Sequence, residues 1–242
     1  PVPYPLRDRR PPQRPHTMKR ALIILTAAML CSAAMAETHY KPHISMGARA
    51  GVAMSRVSFS PSVKQKWSTG TAGTITFRYT EEKLFGVIAE FGWVRRGWKE
   101  NYETAPFAYE RSITYLTLPI LTHIYFGSRR FKTFVNLGPS VSVMIGSGIN
   151  ANFDYTNPGN VPDYPRNRQT EQLDAKITGT FDYGINAGIG FEFYLRPRHS
   201  IVAEARYYFG LGNIFPSSKA DTFGGSRNMS LEFSLGYNFR LR

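Results

Sequence analysis

Over residues 230–241 apolar and polar side chains alternate almost without error: Leu231, Phe233, Leu235, Tyr237, Phe239 and Leu241 interleave with Ser230, Glu232, Ser234, Gly236, Asn238 and Arg240. Successive side chains of a strand face opposite sides, so this segment predicts one strand with an apolar, aromatic face and a small or charged face. The same two-residue period recurs over 44–55, 70–79, 84–96, 112–126, 131–146, 181–195 and 199–212, and the last strand spans 228–241. No run carries apolar residues at helical spacing over a useful length, so eight strands and no helices are expected.

The connections alternate as well. Residues 80–83, 127–130 and 196–198 form short links, while 56–69, 97–111, 147–180 and 213–227 form long ones. In an up-and-down barrel all the short turns fall at one end. Transmembrane barrels show this asymmetry, with short periplasmic turns, long extracellular loops and an even strand number.

Alternation alone does not say which face is outside, but the composition of the two faces does. One face carries sets such as Phe85, Val87, Ala89, Phe91 and Trp93, or Ile185, Ala187, Ile189, Phe191 and Phe193, with no charge among them. A Lys or Arg at the bilayer midplane of a lipid-facing strand costs about 2–4 kcal/mol, so lipid exposure predicts this absence. The other face holds Arg49, Arg78, Glu90, His123, Asn136, Asp182, Glu192, Glu204, Arg206 and Glu232 among many glycines. Eight strands leave a bore only wide enough for side chains to fill, so the glycine-rich polar face belongs inside. Aromatic residues beside the short turns, Tyr79, Phe85, Phe126, Phe131, Phe193, Tyr194 and Phe239, suit the membrane interface.

The lumen charges are the one constellation that reads as a site. Arg49, Arg78, Glu90, His123, Glu192, Glu204, Arg206 and Glu232 are expected to form an internal network, because buried charges require partners. Glu232 sits on the last strand, and Arg206 or Arg49 is its expected partner. Pro119 is expected to face the lumen from a strand interior. His123 is the inward imidazole on which hydrolase chemistry would depend. The chain has no G-x-S-x-G elbow, no H-E-x-x-H pair and no phosphate-binding glycine loop, so no catalytic residue, metal or cofactor is expected.

The front of the chain speaks to compartment. Residues 1–17 are rich in proline and arginine and are expected to be unstructured, upstream of a start at Met18. Lys19 and Arg20, the apolar run 21–30 and Ala34-Met35-Ala36 give a signal peptide over 18–36, cleaved between Ala36 and Glu37, with the barrel domain over 37–242. Cys31 lies inside that segment, so the exported chain has no thiol chemistry. Removing the leader's six basic and one acidic residues from the totals of 30 and 17 leaves a net charge of +8 rather than +13. With an export signal and no basic helix, nucleic acid is not an expected partner. In the loops, Tyr155, Tyr164 and Arg166-Asn167-Arg168 offer a contact surface. Arg56, Lys64, Lys66, Arg95, Arg96 and Lys99 are expected near the outer leaflet, where lipopolysaccharide phosphates lie.

Several segments resemble a known family. They are Tyr115-Leu116-Thr117-Leu118-Pro119-Ile120-Leu121, Gly138-Pro139-Ser140, Phe181-Asp182-Tyr183-Gly184, Gly188-Ile189-Gly190, Arg206-Tyr207-Tyr208-Phe209-Gly210-Leu211-Gly212-Asn213-Ile214 and Gly236-Tyr237-Asn238-Phe239. Together they are similar to the PorT-like, porin-like outer-membrane β-barrel family of Bacteroidetes. The resemblance implies a barrel inserted by the barrel-assembly machinery and raises a role in type IX protein secretion, but carries over no catalytic or ligand-binding residue. The expectation is a monomeric eight-stranded antiparallel barrel in the bacterial outer membrane, in contact with its lipids and lipopolysaccharide. Its lumen is filled, and its role is structural or interactive through extracellular loops and envelope or secretion-system partners. A small porin or ion channel and an envelope lipid-modifying enzyme are the rival readings.

Overall fold

The computed structural model describes residues 42–81, 84–103, 106–218 and 221–241. The expected extension, signal peptide and cleavage site between Ala36 and Glu37 lie outside these residues. The strands are β1 (His43–Ser60), a two-residue β2 (Gln65–Lys66), β3 (Ser68–Thr80), β4 (Phe85–Glu100), β5 (Tyr109–Gly127), β6 (Phe131–Ala151), β7 (Phe181–Arg196), β8 (His199–Gly210) and β9 (Gly225–Arg240). Every pairing is antiparallel between chain neighbours, apart from the short β2, which adds to β4. The ring closes where β1 meets β9, with Ala50 opposite Leu235. Closure leaves no long unpaired edge, which is the condition for crossing hydrocarbon with strands.

Burial alternates along each strand. Ile75, Phe77, Phe91, Trp93, Leu118, Ile120, Ile189, Phe191, Phe233 and Leu235 are exposed on the outer face, while Arg49, Arg78, Glu90, Glu192, Glu204 and Arg206 are buried inside. Outward Tyr79, Phe85, Phe126, Phe131 and Phe193 ring the short-turn end. Tyr194, expected with them, turns toward the lumen side, because strand parity places it opposite to Phe193.

The strands run further toward the long-loop end than the sequence pattern indicated: β1 to Ser60, β4 to Glu100, β6 to Ala151, with β5 beginning at Tyr109. The cause is an inversion of polarity above the lipid belt. There the outer face carries Arg56, Ser58, Arg95 and Lys99, and the inner face gains an apolar set, Ala53, Val57, Phe59, Val94, Trp98, Tyr109 and Ile113, beside buried Arg96, Glu100 and Arg111. Water now bathes the outside, so the inside becomes an ordinary hydrophobic core.

Long-loop residues Leu173, Ile177, Ile214, Phe215 and Phe223 complete that core. Phe59 packs edge-on to Trp98 at 5.4 Å between ring centroids and lies 5.1 Å from Phe223. Helices are present, against expectation: a helical turn α1 (Glu171–Asp174) and a 3-10 turn at Pro158–Asn160. Each is too short to leave a periodic signature, and α1 serves to seat buried Leu173 in the mouth of the barrel. Tyr109 Oη donates to the Leu173 carbonyl at 2.6 Å and Arg111 Nη1 to the Ala175 carbonyl at 2.7 Å, which ties the turn to β5.

Pro119 is buried toward the lumen. Having no N–H to give, it stands where the ladders lapse: β5–β6 pairing resumes only at Thr122, and β4–β5 pairing breaks between Ala89 and Gly92.

Candidate functional site

The polar lumen is built in tiers. Nearest the short turns, Arg78 on β3 reaches across the bore to Glu192 on β7 with a two-pronged fork, Nη1 to Oε2 at 2.7 Å and Nη2 to Oε1 at 2.8 Å. Ser200 Oγ donates to the same carboxylate at 2.5 Å. His123 Nε2 lies 3.2 Å from Arg78 Nη1, and its Nδ1 lies 2.7 Å from Asn136 Oδ1. A guanidinium only donates, so Nε2 accepts and Nδ1 carries the proton toward Asn136. His123 is therefore a neutral linking residue between tiers.

Above it, Asn136 Nδ2 donates to Glu204 Oε1 at 2.9 Å. Arg49 on β1 bonds both Glu90 and Glu204. Arg206 on β8 bonds Glu90 through Nη1 at 2.6 Å and Nη2 at 3.0 Å, and Glu204 through Nε and Nη2 at 3.1 Å each. The four groups form one cyclic unit of two guanidinium and two carboxylate groups. The space they occupy is supplied by glycine: a Cβ at Gly236 would strike the Arg49 side chain, and one at Gly188 would strike the Glu204 carboxylate.

The third tier corrects the expected partner of Glu232. Neither Arg206 nor Arg49 meets it; Arg96 does, with Nη2 at 3.1 Å from Oε1, while Arg96 Nε donates to Ser230 Oγ at 3.1 Å. Arg49 and Arg206 are consumed by Glu90 and Glu204, two residues nearer the short turns by strand parity. Arg96 had been assigned to the outer rim with Arg95 and Lys99, yet it stands six residues after inward Glu90 and so points inward itself. Its guanidinium lies 3.8 Å over the Tyr208 ring. One tier higher, Asn228 Nδ2 donates to Asp182 Oδ2 at 2.9 Å and to Tyr115 Oη at 3.0 Å.

The eight residues of these ion pairs balance: Arg49, Arg78, Arg96 and Arg206 against Glu90, Glu192, Glu204 and Glu232. Side chains fill the bore closely: the void beside Arg49, Arg96 and Arg206 is about 30 Å³ and the one beside Arg78 and His123 about 10 Å³. Such voids hold a water or two. No cluster of three or more metal-ligating side chains occurs among the described residues.

The outer rim is less cationic than its sequence suggests. Lys64 pairs with Glu103 at 3.0 Å, Lys99 with Glu110 at 3.4 Å, Arg95 Nη2 donates to Ser112 Oγ at 3.0 Å, and Arg56 stacks over Trp67 at 5.0 Å. Above the rim, Tyr102, Phe107, Phe153 and Tyr164 form a mutual aromatic cluster with centroid separations of 5.3 to 6.0 Å, joining two long loops. Burial pushes the Tyr102 and Tyr164 phenols up from their usual value, and the two hydroxyls lie 3.3 Å apart. Arg168 bridges the loops again, donating to the Asn101 carbonyl at 2.5 Å and to Glu100 at 3.0 Å.

A closed antiparallel ring with an uncharged outer belt and a paired polar interior invites comparison with known membrane barrels. Residues 38–216 match the family described as outer membrane protein beta-barrel domain, well over half of the chain. The chain belongs to that family. Membership places this outer membrane protein beta-barrel domain in the bacterial outer membrane, with its exposed apolar belt against lipid. Among solved structures it is similar to the outer membrane protein OprG from Pseudomonas aeruginosa, at 13% identity over 83% of this chain and 96% of that chain, with a TM-score of 0.50. It is also similar to the attachment invasion locus protein Ail of Yersinia pestis, at 15% identity over 81% and 99% of the two chains, with a TM-score of 0.40. At such identity the likeness to OprG speaks to fold alone. Comparison with curated proteins gives no match.

Proposed function

We propose that this barrel is a closed, non-catalytic anchor that holds its long loops in a fixed arrangement for contact with partners outside the cell. The observation that carries this reading is the aromatic cluster of Tyr102, Phe107, Phe153 and Tyr164. It locks two loops together above a lumen that offers no passage. Ordered loops present a preformed surface, and preformed surfaces lose less entropy on binding. A catalytic role for His123 finds no support, since its hydrogen bonds go to Asn136 and Arg78, deep in the lumen.

The test is affinity isolation from the native envelope with the full barrel and a Phe153→Ala/Tyr164→Ala variant. An extracellular partner should be recovered with the first and depleted about tenfold with the second, since unlocked loops lose more entropy on binding. Equal recovery with both would remove the loops from the proposal. The PorT-like motifs, such as the 206–214 segment, favour a secretion-system component as that partner. Recovery of secretion machinery would sharpen the reading to that role.

The filled bore makes a second expectation. In planar bilayers the folded barrel should show no stable conductance steps, because the tiers at Arg78–Glu192 and Arg49–Glu90–Arg206–Glu204 leave room for isolated waters only. Large, stable steps from protein that migrates as the folded band would favour the porin reading instead.

A further inference from the structure

At the opposite end from the loops, the short turns enclose a concavity of about 660 Å³ whose charged lining, among the described residues, is cationic: Arg129, Arg130, Lys132, Arg196 and Arg240. No described carboxylate lines it. Glu192, which stands opposite Lys132 across the β6–β7 ladder, has its oxygens already taken by Arg78 and Ser200. Lys132 Nζ rests 4.3 Å from the Tyr125 ring and 5.1 Å from the Tyr194 ring, and the Glu192 carboxylate attracts it without forming an ion pair. The Nε of Arg240, which flanks Tyr194, is buried and has no hydrogen-bond partner. Arg49, Arg78, Arg96 and Arg206 are each matched by a carboxylate, whereas none of the five basic side chains at this end forms an ion pair with a described carboxylate.

The position of this basin narrows the ligand. Its lining residues Leu84, Tyr125, Lys132 and Tyr194 are chain neighbours of outward Phe85, Phe126, Phe131 and Phe193, aromatic residues suited to the depth where headgroups lie. Its rim includes Leu84 and Leu195, both exposed. We infer that the basin binds the phosphate of an anionic phospholipid of the periplasmic leaflet. The headgroup sits among Lys132, Arg240 and the Arg129-Arg130 turn, and the acyl chains leave over Leu84 and Leu195. A soluble anion would satisfy the cations but gains nothing from that apolar rim.

Native mass spectrometry of the folded full barrel, exposed to equal amounts of phosphatidylglycerol and phosphatidylethanolamine, tests this. Retention of phosphatidylglycerol should exceed that of phosphatidylethanolamine by about tenfold or more, given the attraction of each basic side chain for anionic lipid. In Lys132→Gln/Arg240→Gln the preference should fall to near parity. An Arg56→Gln/Lys66→Gln variant, with the same loss of charge at the other end, should keep it. If the lumen-side variant fails to fold, Arg129→Gln/Arg130→Gln in the exposed turn serves in its place. No preference in the parent barrel, or an equal drop in the control variant, overturns the site. Displacement of the lipid by millimolar inorganic phosphate overturns the lipid assignment in favour of a soluble anion.

Discussion

Glu90→Ala is expected to destabilise the folded barrel by about 3–5 kcal/mol, the cost of leaving a buried charge without its partner. Glu90 is the shared acceptor of Arg49 and Arg206, and its removal leaves two buried guanidinium groups with one carboxylate, Glu204. Unfolding by urea in lipid vesicles, followed by the folded band on gels, gives the measurement. The paired change Glu90→Leu/Arg206→Leu removes one charge of each sign and leaves Arg49 with Glu204. Replacing a buried pair by apolar side chains is often close to neutral, so the double variant should recover most of the loss. A cost under about 1 kcal/mol for Glu90→Ala would mean that water reaches the tier and screens it, contrary to cavities of about 30 and 10 Å³.

The second large effect is on the outer face. Leu235→Arg should cost about 2–4 kcal/mol of stability in bilayers, because it puts a charge into the lipid belt. Leu235 lies opposite Ala50 and Ala203 on the neighbouring strands, is 66% exposed, and with exposed Phe233 and Tyr237 forms part of a contiguous uncharged belt. The matched control is Ser58→Arg, on the outer face of β1 beyond the belt, where the cost should be about 0–1 kcal/mol. Equal, small costs at both positions would mean that the belt at Leu235 is not in hydrocarbon.

The polarity inversion along the strands explains why some of the barrel was legible and some was not. Between Met46 and Val52 the outer residues are apolar and the inner ones small or charged, so a period of two with one constant sense identified the strand. Beyond Ser55 the period persists but its sense reverses, with Val57 and Phe59 inside and Arg56 and Ser58 outside. A reading that seeks one apolar face ends the strand there. Arg96 was lost for the same reason. Beside Arg95 and Lys99 it resembles part of a basic rim, whereas parity from Glu90 would have sent it inward to Glu232. Gln172 and Leu173 of α1 left no signal at all, since one helical turn has no period to detect.

By itself the sequence determined the eight strands of the ring, though not the two-residue β2, together with the ends at which short and long connections lie and the sense of each face through the lipid belt. These follow from local alternation, because lipid penalises every outward charge independently of its neighbours. Which charge meets which was decided only in the closed ring. Arg78 and Glu192 lie 114 residues apart, Arg49 and Glu204 155 apart, and they meet because curvature brings opposite walls of an eight-stranded barrel within one side chain's reach. The apolar plug of Trp98, Phe215 and Phe223 and the basic basin at Lys132 and Arg240 are products of the same closure. Both depend on residues from different strands or loops sharing a mouth, a relation that no spacing along the chain encodes.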